Sequence, residues 1–208
     1  MRIEIPQINK WTRDTGVANI LKALTPAYRE KHLVTLSFKH CHFISAEAVV
    51  ILAGTKFLRD SKKFPTDIDM NTLDVDVKQF LGKARFLGLF GHRPYPWAGN
   101  SLPIYRQREL FKEGILDYID QEILQRHEMP DMSEILHKEI RRAFFELFGN
   151  VFYHSRSSIG GLVCGQVYPN SEEIQIVFYD AGIGLARCVR EVVSSFQSDD
   201  KAIEWALR

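Results

Sequence analysis

AFFELFGNVFYHS, residues 143–155, and VFYDAGIGLA, residues 177–186, decide how this chain is read. In the first, Glu146, Asn150 and His154 recur at every fourth position. On a helix they lie within about 80° of one another. They flank a predicted core stripe of Leu136, Ile140, Ala143, Phe144, Leu147 and Val151. An acid, an amide and an imidazole beside a packed face are costly to shelter without partners, so the row calls for something opposite it.

The second stretch supplies that. A strand predicted over 173–180 ends in Asp180-x-Gly182-x-Gly184. A carboxylate at the carboxyl end of a strand accepts a hydrogen bond from an exocyclic amine, and alternate glycines let backbone come close to a flat or charged ligand. The helix predicted next offers its first N–H groups to phosphate. Each feature also has a plain reading. Glu146 and Asn150 suit a solvated helix border, the glycines a tight turn, and His154 a helix-end cap.

Working outward, LVCGQVYP and EEIQIVFYD read as a hairpin around Pro169-Asn170-Ser171. Asp131 or Ser133 caps the helix that carries Asn150, with Glu134 in its first turn. A further helix covers 109–127. RPYPWAGNSLPI, residues 93–104, holds three prolines and reads as a linker or crossing segment. Tyr95 and Trp97 within it suit packing between modules better than base stacking. The first half alternates in type: a buried strand at HLVTLSF (32–38), a helix starting near Ser45, a short strand at DIDMNT (67–72), then a helix with Val77, Phe80, Leu81, Ala84 and Leu87 on one face. That order implies an α/β layer with at least part of its sheet parallel.

With 208 residues, 45% of them hydrophobic and 25% charged, the chain can bury a sizeable core. A formal net charge of +1 gives no electrostatic case for nucleic acid or an anionic membrane as partner. Cys41, Cys164 and Cys188 are dispersed and form no CxxC, which predicts packed, reduced thiols and a cytoplasmic setting. His40-Cys41-His42 does not make a metal site, because successive residues on extended chain face opposite ways. No apolar run reaches 18 residues, and MRIEIPQINK lacks a signal-peptide core.

The helix with E-x3-N-x3-H, the hairpin, and the strand-end D-x-G-x-G together resemble the ATP-binding fold shared by gyrase B, the Hsp90 chaperone, histidine kinases and MutL (the GHKL type). The resemblance covers roughly residues 110–208. It implies an ATP or ADP site in which Asn150 holds Mg²⁺, Asp180 the adenine amine, and Gly182 and Gly184 underlie the base. His154 has a similar place in relatives. Glu146 stands where hydrolysing members carry the water-activating base. Those members also have a lid and a second glycine box. This sequence runs only 24 residues past Gly184 with no later G-x-G, so the expected module is incomplete and inactive as an ATPase or protein kinase.

Residues 32–91 resemble the STAS domain of anti-sigma-factor antagonists in their order of strand, turn, helix, strand and helix. The family's phosphorylatable turn is altered: Ala46 and Glu47 stand at its hydroxyl positions, with Ser45 one place early. That implies a docking or structural module. The expected organisation is a STAS-like module at 1–92, a linker at 93–109 and a GHKL-type module at 110–208. Two functions follow: a nucleotide-dependent switch, kinase or ATPase, or a scaffold that docks a protein partner through its first module.

Overall fold

The computed structural model describes residues 1–7, 13–93, 95, 99–127, 129, 131–196 and 198–206; Trp97 lies outside them. The protein is mixed α/β, with two three-stranded sheets and helices packed on both. In the first half, strands β1 (Arg2–Glu4), β2 (Val34–Ser37) and β3 (Thr66–Ile68) pair in that order, all parallel. Helices α1 (Arg13–Leu24) and α2 (Ala46–Ser61) make the crossovers that parallel strands require. β3 stops sooner than the pattern at 67–72 suggests. Asp69 accepts the Asn71 N–H at 3.2 Å and starts a 3₁₀ turn, Met70–Thr72. Asp74 then caps α3 (Val75–Lys83), taking the Val77 N–H at 2.9 Å.

The second half is an antiparallel sheet of β4 (Ser101–Gln107), β5 (Gly161–Tyr168) and β6 (Glu173–Asp180), with β5 central. β4 lies inside the segment expected to be a linker. The proline that argued against a strand, Pro103, sits at a register shift between Leu102 and Tyr105. Its missing N–H is not needed there, and the Ile104 N–H turns away to the Ala84 carbonyl at 2.9 Å. Helices α4 (Lys112–Ile119) and α5 (Glu134–Asn150) cover one face of this sheet, and α6 (Leu185–Val192) and α7 (Asp199–Ala206) follow β6. The Ser133 hydroxyl caps α5 through the Leu136 N–H at 3.2 Å.

Helix α2 touches both sheets and is buried at Ala46 and from Ala48 to Thr55 on every side. A helix apolar all round belongs in a core. On one flank it approaches β5 and β6 closely. The Cys164 thiol donates to the Ala46 carbonyl at 3.3 Å, and the Tyr179 ring lies over Gly54. Leu162 and Cys164 therefore share one apolar cluster with Leu36, Val49 and Leu52. Arg59, near the end of α2, is 1% exposed. Its guanidinium donates to four main-chain carbonyls, those of Ala27, Glu30, His32 and Pro65, and Nε to the Thr66 hydroxyl.

The core stripe of α5 differs from the expected one. Leu136 and Leu147 are 48% and 53% exposed, and Ala143 is exposed too. Phe148 takes the buried position instead, its ring 6.1 Å from that of Phe178 and 6.2 Å from that of Tyr105. Aromatic rings bury more area than leucine, and turning Phe144 and Phe148 onto the sheet carries Leu147 outward.

Candidate functional site

The α-helical pattern of α5 ends at Asn150, and Val151–Ser155 continue as a single π turn. The Ser155 hydroxyl donates back to the Val151 carbonyl at 2.6 Å, and Arg156 adopts a left-handed φ of 55°, which stops the helix. Such widened turns are concentrated at functional sites.

This turn faces the end of β6 across a cavity of about 210 Å³. Leu147, Asn150 and His154 line one wall, and Phe178, Asp180 and Gly184 the other, with Leu185 and Cys188 of α6 at the edge. Asn150, His154, Asp180 and Gly184, chosen from the sequence, thus meet in one place. The Asp180 Oδ1 accepts the Gly182 N–H at 2.8 Å, which fixes the carboxylate plane. Its second oxygen has no partner among the described residues, and neither has the Asn150 carboxamide.

Gly182 does not line the cavity; it closes the turn behind it. A Cβ there would lie 2.0 Å from the Ser155 carbonyl oxygen, which itself accepts the Ile183 N–H at 2.8 Å. Gly184 acts differently. Its φ of +80° is left-handed, nothing lies within 4 Å of a Cβ, and it turns the chain into α6. No side chain caps the start of α6, so its first N–H groups are not taken by a capping side chain.

Glu146 is not brought to the cavity. Its side chain is 61% exposed and accepts from the Arg142 Nε at 2.9 Å on the outer face of α5. Beside the cavity, burial against α2, and the Tyr28 phenol nearby, push the Tyr179 phenol above its usual range. Tyr179 also lines the cavity, and its ring packs over Gly54 of α2.

The sequence reading missed the residues that hold the two walls together. The Ser157 hydroxyl accepts the Ala181 N–H at 3.2 Å and donates to the Gly160 carbonyl at 2.7 Å. Arg156 clamps Glu191 of α6 through two bonds, 2.6 and 3.1 Å. The Cys188 thiol donates to the His154 carbonyl at 3.2 Å. Their signal was the polar run HSRSS directly after the helix, a composition that favours local side-chain to backbone bonding.

Compared with family models, curated proteins and solved structures, the chain matches none of them.

Proposed function

We propose that this protein binds an adenine nucleotide as its magnesium complex, in the cavity between α5 and the β6–α6 turn, and serves as a nucleotide-dependent regulatory switch. The observation that carries the reading is the joint placement of Asn150 and Asp180 on opposite walls, each with an uncommitted oxygen. The Asp180 carboxylate, oriented by the Gly182 N–H, accepts the exocyclic amine of adenine. Guanine presents a carbonyl at that position, and two acceptors would face each other. Phe178 and Leu185 give the base apolar contact, and the first N–H groups of α6 face the phosphates.

The donor set suits magnesium, which keeps most of its waters and takes few protein oxygens besides phosphate. Asn150 is the residue that would hold it, and the ion would supply charge neutralisation between phosphates. Hydrolysis is outside this reading, because Glu146 is engaged by Arg142 on the exposed side of α5. The cytoplasm, where adenine nucleotides are plentiful, is the proposed setting. No described helix is long and apolar enough to cross a membrane.

Thermal shift in the presence of Mg-ADP and Mg-GDP tests the proposal. Ligand at 100 times its Kd adds about 2.7 kcal/mol to stability, so Mg-ADP should raise the melting temperature and Mg-GDP should not. Equal shifts, or none with either, would overturn it.

A further inference from the structure

The second sheet has two edges, and the fold treats them differently. β4 is blunted by Pro103, by its register shift, and by the Ile104 N–H bonding to Ala84. β6 has none of these devices. Its eight residues, EIQIVFYD, run regularly against β5 with no proline, bulge or lysine. Among the described residues its outward backbone groups have no partner. Burial agrees. On the same two faces, β5 is buried almost throughout, whereas Ile174 through Tyr179 of β6 are all only half-buried. Open, regular edges of this kind are templates for another strand.

Charge says what that strand carries. Glu172 and Glu173 stand at the start of β6, neither ion-paired among the described residues. Beside them is a cavity of about 510 Å³ whose apolar lining includes Met129, Val167 and Ile174. It suits a long basic side chain that lays its stem on the apolar lining and its head between the carboxylates. A second copy of this chain does not fit. Antiparallel pairing of β6 with itself would set Glu173 opposite Asp180 at both ends, and like charges directly opposed destabilise a ladder.

We infer that the β6 edge is an interaction surface for an extended segment of another polypeptide, which adds as a fourth strand and carries arginine or lysine beside Glu172 and Glu173. Main-chain bonds along the edge supply affinity, and the acidic end supplies selectivity. The inference is independent of nucleotide binding.

Two labelled peptides test it, each with eight alternating valines and threonines, one flanked by arginines and the other by glutamates. Anisotropy at low salt should show the arginine peptide binding at least about tenfold more tightly. Its binding should slow amide exchange at alternate residues of 173–180. The double variant Glu172→Lys, Glu173→Lys should reverse the preference. Both substitutions lie on exposed positions, so the fold survives them. Equal affinity, no binding, protection elsewhere, or concentration-dependent protection of 173–180 in the chain alone would each overturn the inference.

Discussion

The carbonyl oxygen of Ser155 occupies the space that a side chain at Gly182 would need, 2.0 Å from where its Cβ would stand. That oxygen cannot retreat freely, because it holds the Ile183 N–H. Gly182→Ala should therefore open the turn behind Asp180 and cost about 1–3 kcal/mol. Gly184→Ala meets open space but bears a backbone, φ +80° with ψ 154°, that glycine alone adopts readily, at a cost of about 1–3 kcal/mol. Urea unfolding should show a loss for each, with nucleotide affinity falling further for Gly182→Ala. An unchanged midpoint for Gly182→Ala would contradict the packing described.

Asn150 is assigned to the ion and not to the base. Asn150→Ala should reduce the gain in nucleotide affinity that Mg²⁺ brings, and leave metal-free adenosine binding unchanged. Titrations with and without EDTA separate the two. If Mg²⁺ strengthens binding equally in both proteins, Asn150 is no ligand.

Arg59, buried and bonded through all three guanidinium nitrogens, is costly to remove. Arg59→Met fills similar volume yet withdraws the donor from four carbonyls, of which that of Pro65 keeps the Val34 N–H and those of Ala27, Glu30 and His32 face an apolar group. Each unsatisfied buried acceptor costs about 1–3 kcal/mol, and the buried Ala27 carbonyl alone carries that much if water reaches the part-buried ones. Chemical denaturation should show it, and a loss under about 1 kcal/mol would mean that the carbonyls find water.

Alkaline pH should destabilise the fold, through the buried thiols of Cys41 and Cys164 first. Burial raises the Cys41 thiol to about 11, from 9.0 when exposed. Below pH 9 both states keep the proton and nothing is lost. Between the two values the unfolded chain ionises while the folded one does not, so stability falls as pH rises. Cys41→Ala should flatten that fall between pH 9 and 11 in a series of thermal melts. An unaltered slope would place the effect on Cys164, whose thiol burial also raises, and on Tyr118, whose phenol it raises likewise.

Element types were largely legible because periodicity and caps agree in this chain. Ser133 and the Pro169 turn announce themselves locally. What escaped was set by tertiary contacts. β4 depends on Ala84 accepting a stray N–H, and the facing of α5 depends on which of two neighbours, Leu147 or Phe148, has the better cavity. Of the site, Asn150, His154, Asp180 and Gly184 meet as their spacing implied. Glu146 does not, since four residues back Arg142 offers it a partner in solvent. Ser155 and Ser157 act through bonds to backbone groups; the polar run after the helix hints at such bonding without naming its partners, Ile183 and Ala181.

The two halves share α2 as a common wall, so cutting between them exposes its Ala46 and Gly54 flank. Residues 1–92 made alone should lose cooperative unfolding and bind a hydrophobic dye. A sharp, reversible melt of that fragment would show that the first sheet suffices to hold α2.

The most direct test of nucleotide recognition is calorimetric titration of Mg-ADP into the wild type and into Asp180→Asn. The variant puts an amide where the Gly182 N–H and the adenine amine both need an acceptor. A hydrogen bond to a charged group contributes about 1.5–3 kcal/mol, so affinity should fall about tenfold to a hundredfold, with the melting temperature of the free protein little changed. Equal affinity in the two proteins, or no binding by the wild type, would contradict the account.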